Sequence, residues 1–346
     1  MTVYTLFTDP HLGTRRAAHT TRESSRRLTD SLYDQALRIV GSNPSPICLG
    51  DLFDRAFNDE ATLVQGYHIA DRCEFTIAGN HDETNRAGSV PSLRALAQMG
   101  VRVIAAQGFS DPFFYEHLDG IYVVPHHASQ ELFEKAMSIA AVDAANSRAG
   151  RASVLMLHCN YNCPFDTEDD TLNLSPEVAE RLLVAFDYIF LGHEHKPSTH
   201  HDGRVVILGN THPTSFSDIS DKFVYRLEIT DSSLDLTKER VWSMDQGYRE
   251  IRFGQELPDL SGVEFIDVVG VAQAEDTVAV AEFVQSVWQA AEPLAVRNNV
   301  KIGDHVVGSE EAERPALVDL KTRIAEDLEG SDLKALYEQL IKEIEA

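Results

Sequence analysis

Ile47-Cys48-Leu49-Gly50-Asp51-Leu52-Phe53-Asp54 opens as an apolar run, reaches Gly-Asp, and carries a second carboxylate three residues later. Short apolar runs bounded by Gly and Pro read as buried strands of a parallel sheet. In sheets covered by helices, ligands gather beyond the carboxyl ends of the strands, which is where this reading puts Asp51. Four other strand ends supply matching groups: Asp9-Pro10-His11, Gly79-Asn80-His81-Asp82, Leu157-His158 and Gly192-His193-Glu194-His195. One carboxylate able to bridge, with Asp, Asn and four His around it, describes a site for two metal ions.

Outward from these ends, strands and helices alternate. Strands are expected over 3–8, 47–49, 74–78, 101–105, 120–124, 153–157, 188–191, 205–208 and 223–229. Residues 22–40 read as a helix with Leu28, Leu32, Ala36 and Ile39 on one face. Further helices are expected around 61–70, over 91–99 with Gly100 as its stop, over 130–147, and from Ser175-Pro176, a cap followed by Pro in the first turn. The alternation argues for an α/β domain over residues 1–235. Strands at 248–253, 265–271 and 300–302 with a helix at 276–292 make a small α+β unit over 245–305. Pro315 and Gly330 then punctuate a two-helix tail, 306–346, after an acidic loop at 166–170 earlier in the chain. In the last helix Leu333, Leu336, Tyr337, Leu340, Ile341 and Ile344 form one apolar stripe, which either packs on its own domain or binds another helix.

With 346 residues the chain has room for one large domain and a smaller one. No apolar run reaches the roughly 18 residues a membrane helix needs, so no membrane contact is expected. The start of the chain enters a strand without a basic segment or cleavage site, and the four cysteines are too scattered for a disulfide framework. Both point to the cytoplasm, with reduced thiols. The net charge of −25 argues against sequence-independent nucleic-acid binding by the whole surface, although divalent metals reverse the potential locally. The charge is uneven: residues 1–40 carry six Arg against four acids, whereas residues 304–346 carry twelve acids against five bases.

Carboxylate, amide oxygen and imidazole together suit Mn²⁺ or Fe²⁺ better than a closed structural zinc site. Two such ions, about 3.5–4 Å apart, clamp the attacking and leaving oxygens of a phosphoryl displacement and activate water near neutral pH. The ordered set Asp-x-His, Gly-Asp-x-x-Asp, Gly-Asn-His-Asp, a strand-end His and Gly-His-x-His resembles the calcineurin-like metallophosphoesterase superfamily. The resemblance covers residues 9–195, and five motifs in order separate it from a chance match to any one. It implies a β-sandwich flanked by helices, with a small α+β capping domain and C-terminal helices. It also implies that Asp9, His11 and His195 hold one ion, that Asn80, His158 and His193 hold the other, and that Asp51 bridges them. His81 would protonate the leaving oxygen or steady the transition state. Asp54 has two readings: it orients His11 or His81, or it caps a helix.

Local wording narrows the resemblance further. Asp9-Pro10-His11-Leu12-Gly13, Gly50 to Asp54, the segment 186–197 and the Gly209-Asn210-Thr211 to Ser215-Phe216 turn are similar to SbcD-type DNA repair and recombination nucleases. Small subunits of phage recombination endonucleases share this length. The implied activity is Mn²⁺-dependent hydrolysis of phosphodiester bonds in DNA, exonuclease with endonuclease activity, with Mg²⁺ or Fe²⁺ as alternative ions. The implied partners are DNA, a second copy of the chain, and an SMC-like ATPase of the SbcC type docked on the C-terminal helices. A stand-alone phosphodiesterase or phosphatase acting on nucleotides or small esters is the alternative, and would account for the acidic surface. A nuclease needs a basic path; Arg15, Arg16, Arg22, Arg26 and Arg27 supply one beside the metals, or else a solvated helix face. Pro10 stands where Trp or Thr is usual, and Glu194 places a further negative charge between His193 and His195.

The remaining candidates have plainer readings alongside. His126 and His127 either line the substrate groove or sit in a surface turn. His212 lies in the 209–216 turn and is expected to contact substrate, whereas His200 and His201 read as an ordinary hairpin loop. Cys159 and Cys163 lack the second pair a zinc site needs, and Trp242 and Trp288 read as core of the small domain.

Overall fold

The computed structural model describes residues 2–84, 89–106, 114–147, 152–163, 172–230 and 233–303. In chain order these form β1 (Thr2–Phe7), α1 (Arg22–Ser42), β2 (Pro46–Cys48), α2 (Glu60–Ala70), β3 (Phe75–Ile77), α3 (Ser92–Gln98), β4 (Val103–Ile104), β5 (Glu116–Leu118), β6 (Ile121–Val124), α4 (Gln130–Ser147), β7 (Val154–His158), β8 (Asn160–Tyr161) and β9 (Asn173–Leu174). After them come α5 (Pro176–Leu182), β10 (Tyr188–Gly192), β11 (Ser198–His200), β12 (Val205–Ile207), β13 (Lys222–Ile229), β14 (Leu234–Trp242), α6 (Met244–Gly247), β15 (Tyr248–Arg252), β16 (Phe265–Ala272), α7 (Thr277–Ala291) and β17 (Ala295–Ile302). The acidic loop at 166–170 and the helices expected over 306–346 lie outside the described residues.

Two six-stranded sheets face each other, ordered β14-β13-β1-β2-β3-β4 and β11-β12-β10-β7-β6-β5. Strands β1 to β4 run parallel, as do β6, β7, β10 and β12; the antiparallel strands lie toward the edges. The two-residue period of a strand decides which layer each side chain joins. In β7, Val154 and Met156 point into the core between the sheets, while Leu155 and Leu157 point outward under α4 and α5. In β10, Phe190 goes inward and Ile189 and Leu191 outward. The first sheet is covered in the same way by α1, α2 and α3, through Ala36, Ile39, Ile69, Leu93 and Leu96. The result is a mixed α/β sandwich of two sheets between two helical layers, as the alternation and the resemblance led us to expect.

The three-stranded sheet β15-β16-β17 carries α7 on one face and meets α1 through Leu28, Leu32, Trp242, Phe265 and Leu294. Two strands are poorly legible in the sequence, β14 at the edge of the first sheet and β17 in the small one. β14 has only Leu234, Leu236, Val241 and Trp242 at least partly buried, and exposes Lys238, Glu239 and Arg240, the charged dress of an edge strand. It carries the first sheet on to Trp242. β17 begins at Ala295, five residues before the expected start, because Asn298-Asn299 reads as a break. Its polar side chains have tertiary partners: Arg297 and Asn299 both bond to Asp267 on β16.

Candidate metal centre

Five parallel strands deliver their carboxyl ends to one place: β1 to Asp9 and His11, β2 to Asp51, β3 to Asn80, β7 to His158 and β10 to His193. The two sheets are stitched together there by backbone groups. His158 Nδ1–H donates to the Leu49 carbonyl at 2.7 Å, and His126 N–H to the Ala78 carbonyl at 3.1 Å. Two glycines let the ends approach. A Cβ on Gly50, whose φ is +106°, would sit 2.2 Å from His158 Nδ1, and one on Gly79 2.2 Å from Asp51 Oδ1. Asp9, His11, Asp51 and His193 themselves have positive φ (54°, 46°, 49° and 89°), each a strain of about 1–3 kcal/mol that the surrounding hydrogen bonds must offset.

Each carboxylate divides its oxygens between scaffold and centre. Asp9 Oδ2 accepts from His193 N–H at 3.0 Å, while the buried Oδ1 has no hydrogen-bond partner. Asp51 Oδ1 accepts from His81 N–H at 3.0 Å, while Oδ2 lies 3.2 Å from His158 Nε2 and 4.0 Å from His11 Nε2. His11 Nε2 and His195 Nε2 approach to 2.9 Å. Asn80 Oδ1 is 3.2 Å from His158 Nε2 and 3.0 Å from His193 Nδ1. Ligand atoms of Asp9–His11–His195, of His11–Asp51–His81 and of Asp51–His158–His193 each gather within 4.8 Å. Lone pairs converging on one another with a buried carboxylate oxygen unpaired is an arrangement that divalent cations resolve. The donor set fits two of them, with Asp51 Oδ2 able to serve both.

The electrostatics agree. Burial works against the charge on Asp51, but His158 and His11 outweigh it and hold the carboxyl well below the usual range. Burial also opposes protonation of His158, yet Asp51 beside it pushes the ring up to about 9. Burial pushes His193 down to about 3, lowers His11, and raises Asp9. A bound cation would replace these strained proton arrangements by ligation.

The seven residues expected to ligate are thus brought together. His81 is exposed, and its Nδ1–H donates to the Asp54 carbonyl at 2.8 Å, leaving Nε2 for a substrate atom. Asp54 does not cap a helix, since Asp59 caps α2. Its carboxylate accepts from Thr14 Oγ1 at 2.8 Å and lies 3.6 Å from His11 Nδ1. Arg16 reaches the same carboxylate at 3.7 Å, and Arg15 pairs with Asp59 at 3.1 Å. His126 is buried rather than in a surface turn, and burial pushes its ring down to about 4. His212 is also buried, 3.2 Å from Ser31 and 3.1 Å from Glu264, so it serves the joint between α1 and the small sheet and is not gathered into the cluster. His200 stacks on Tyr161, and His201 bonds to its hydroxyl. Glu194 is occupied as well, accepting from Tyr161 N–H at 2.6 Å.

Two residues take roles that the sequence reading does not assign, one of them inside a quoted motif. Asp82 is buried and accepts from the N–H groups of Leu52, Phe53 and Gly79, which clamps the Asp51 loop to the Asn80 loop. Burial and the Asp51 charge push it up to about 8. Asp218 bonds to His195 Nδ1 at 3.1 Å. Its only sequence signal is Ser215-x-x-Asp218, a capping box that foretells a helix start and not a partner 23 residues away.

Comparison with known proteins gives the chain a family. Residues 3–197 match the family model described as calcineurin-like phosphoesterase. No curated protein matches the chain. Among solved structures it is similar to a 5'-nucleotidase from Staphylococcus aureus bound to alpha-ketoglutarate, with 13% identity, TM-score 0.40, and 68% of this chain covered. The match spans about half, 53%, of that nucleotidase chain. Vps29 from Entamoeba histolytica in complex with zinc is similar at 11% identity and TM-score 0.31, over 69% of this chain and 99% of that one. Vps29 from Chaetomium thermophilum gives 12%, 0.29, and 69% and 96%.

Proposed function

The chain belongs to the calcineurin-like phosphoesterase family, and on that footing we propose that it is a DNA nuclease subunit that hydrolyses phosphodiester bonds with two divalent ions, Mn²⁺ by the ligand mix. The observation that carries the polymeric substrate is a groove of about 1000 Å³ between the start of α1 and the start of α2, where Arg15, Arg16, Arg22 and Arg26 outnumber Glu23, Asp30 and Asp59. It borders the centre through Arg16, which touches Asp54. Arg22 and Arg26 lie four residues apart, both exposed, on one helix face, although this chain has 55 acids with which to pair them. Like charges at that spacing cost a few tenths of a kcal/mol, which Glu23 and Asp30 in the same groove offset in part, and a polyanion crossing the groove would favour the arginines further.

Asp9, His11 and His195 would hold one ion and Asn80, His158 and His193 the other, with Asp51 between. When bound, the ions supply charge neutralisation at the phosphate and an activated water. The chain's own part is positional. The carbonyl of Asp54 fixes the His81 ring so that Nε2, when the ring carries a proton on both nitrogens, can give one to the departing oxygen and leave the neutral Nδ1–H ring. Arg15 and Arg16 would hold a neighbouring phosphate. In this reading the subunit acts as a homodimer with an SMC-like ATPase on residues 306–346, and deletion of 310–346 should abolish co-purification with that partner.

The test is cleavage of end-labelled duplex and single-stranded DNA in Mn²⁺, Mg²⁺ or EDTA. Manganese-dependent degradation is expected, abolished by Asp51→Ala and slowed roughly 10²–10⁴-fold by His81→Ala. Intact DNA alongside turnover of a small phosphodiester would overturn the substrate and keep the metal centre.

A further inference from the structure

Among the described ligand candidates, His195 alone has its outer ring nitrogen at hydrogen-bond distance from a buried carboxylate. Its Nδ1–H donates to Asp218 Oδ2 at 3.1 Å, which leaves Nε2 facing His11 Nε2 at 2.9 Å. The others are backed differently: His158 Nδ1 by a neutral carbonyl and His11 Nδ1 by Asp54 at 3.6 Å, beyond bonding distance, while His193 turns Nδ1 inward to Asn80 Oδ1 at 3.0 Å.

Asp218 is held independently of that ring. Its Oδ2 also accepts from Asn210 Nδ2 at 2.8 Å, Thr214 N–H at 3.0 Å and Thr214 Oγ1 at 3.2 Å, and Oδ1 accepts from Ser215 N–H at 2.9 Å. With Ser215 Oγ at 3.4 Å from Oδ1 these make five donors, enough for the roughly four acceptor positions of a carboxylate, so the turn does not need His195 to satisfy Asp218. The dependence runs the other way. Lys222, at 0% exposure, then ties the two halves together, donating from Nζ to the His195 carbonyl at 2.9 Å and to the Asp218 carbonyl.

We propose that Asp218, with Lys222 as its tie, is a positioning residue that sets the ring plane and tautomer of His195 and thereby the affinity of one of two divalent-cation sites. The proposal rests on the metal-centre reading above. A carboxylate behind a ligating imidazole fixes which nitrogen carries the proton and makes the other a better donor; loss of such a partner weakens metal affinity by about 10–100-fold.

The experiment is calorimetric titration of the full, EDTA-treated chain with MnCl₂, wild type against Asp218→Asn, with thermal unfolding of both before metal is added. One ion should bind about 10–100-fold more weakly in the variant and the other within twofold of wild type, at a similar unfolding midpoint. Wild-type affinity at both sites would overturn the proposal, and so would equal loss at both with a collapsed midpoint, since that marks a structural role only. Should the variant fail to fold, long-range ¹⁵N–¹H correlation spectra of the wild type decide instead: the His195 signals, assigned with His195→Gln, should report a proton on Nδ1, and a proton on Nε2 alone overturns it. Absence of any Mn²⁺ binding by the wild type would overturn this inference and the metal reading together, which the first arm distinguishes.

Discussion

Asp9 and Asp51 use one oxygen each to hold a neighbouring loop and present the other to the centre, so small displacements of either should be felt in ligand binding. Gly79→Ala tests this directly, because the new Cβ would lie 2.2 Å from Asp51 Oδ1 and 2.7 Å from His158 Nε2. Cation affinity should fall by about tenfold or more with the fold retained, read by titration calorimetry beside circular dichroism. The His158 ring sets a pH dependence. Asp51 overcomes burial to push that ring up to about 9, so the ion pair's stabilisation of the EDTA-treated chain is complete below the ordinary imidazole value and is lost as pH rises through about 9. Ligation needs the neutral ring, so Mn²⁺ uptake at pH 7–8 should release protons and weaken as pH falls. Calorimetry in two buffers of different ionisation enthalpy checks it; identical heats would refute the assignment.

Strands carry the ligands, and their rigidity comes from burial on both faces. β10 places Phe190, fully buried, between the sheets, while Ile189 and Leu191 anchor it under the outer helices. Phe190→Ala should cost about 3–5 kcal/mol in chemical denaturation, from lost transfer energy and the cavity left behind. Because β10 ends in Gly192 and His193, the same variant should also loosen cation binding before it unfolds. β14 is the opposite case: paired on one edge only and dressed with charge, it should tolerate Glu239→Gln within about 0.5 kcal/mol.

At the scale of the molecule, a net charge of −25 coexists with a groove beside the centre in which four arginines meet Glu23, Asp30 and Asp59. Long-range repulsion is screened within about 8 Å at physiological salt, so a local patch governs contact with a polyanion. Replacing Arg22 and Arg26 together by Gln should lower the log–log salt slope of DNA binding by roughly 1.4–1.8, two contacts at about 0.7–0.9 each. Fluorescence anisotropy from 50 to 200 mM salt measures it, and turnover of bis-p-nitrophenyl phosphate should be unchanged. An unaltered slope would remove the groove from the binding path.

What the sequence determined by itself was the α/β alternation and the identity of the groups at the strand ends, because both are local: apolar period and strand-terminal Gly-Asp or Gly-His are written in consecutive residues. Tertiary structure decided what depends on approach between distant segments. It turned Asp54 from a possible cap into the holder of His81, since Asp59 already caps α2. It drew His212 into a joint with Ser31 and Glu264, and occupied Glu194 with Tyr161. It paired Asp218 with His195, a contact 23 residues apart that no periodicity announces. A side chain's chemistry is fixed by its type, but its role is fixed by which partner satisfies it once the two sheets close.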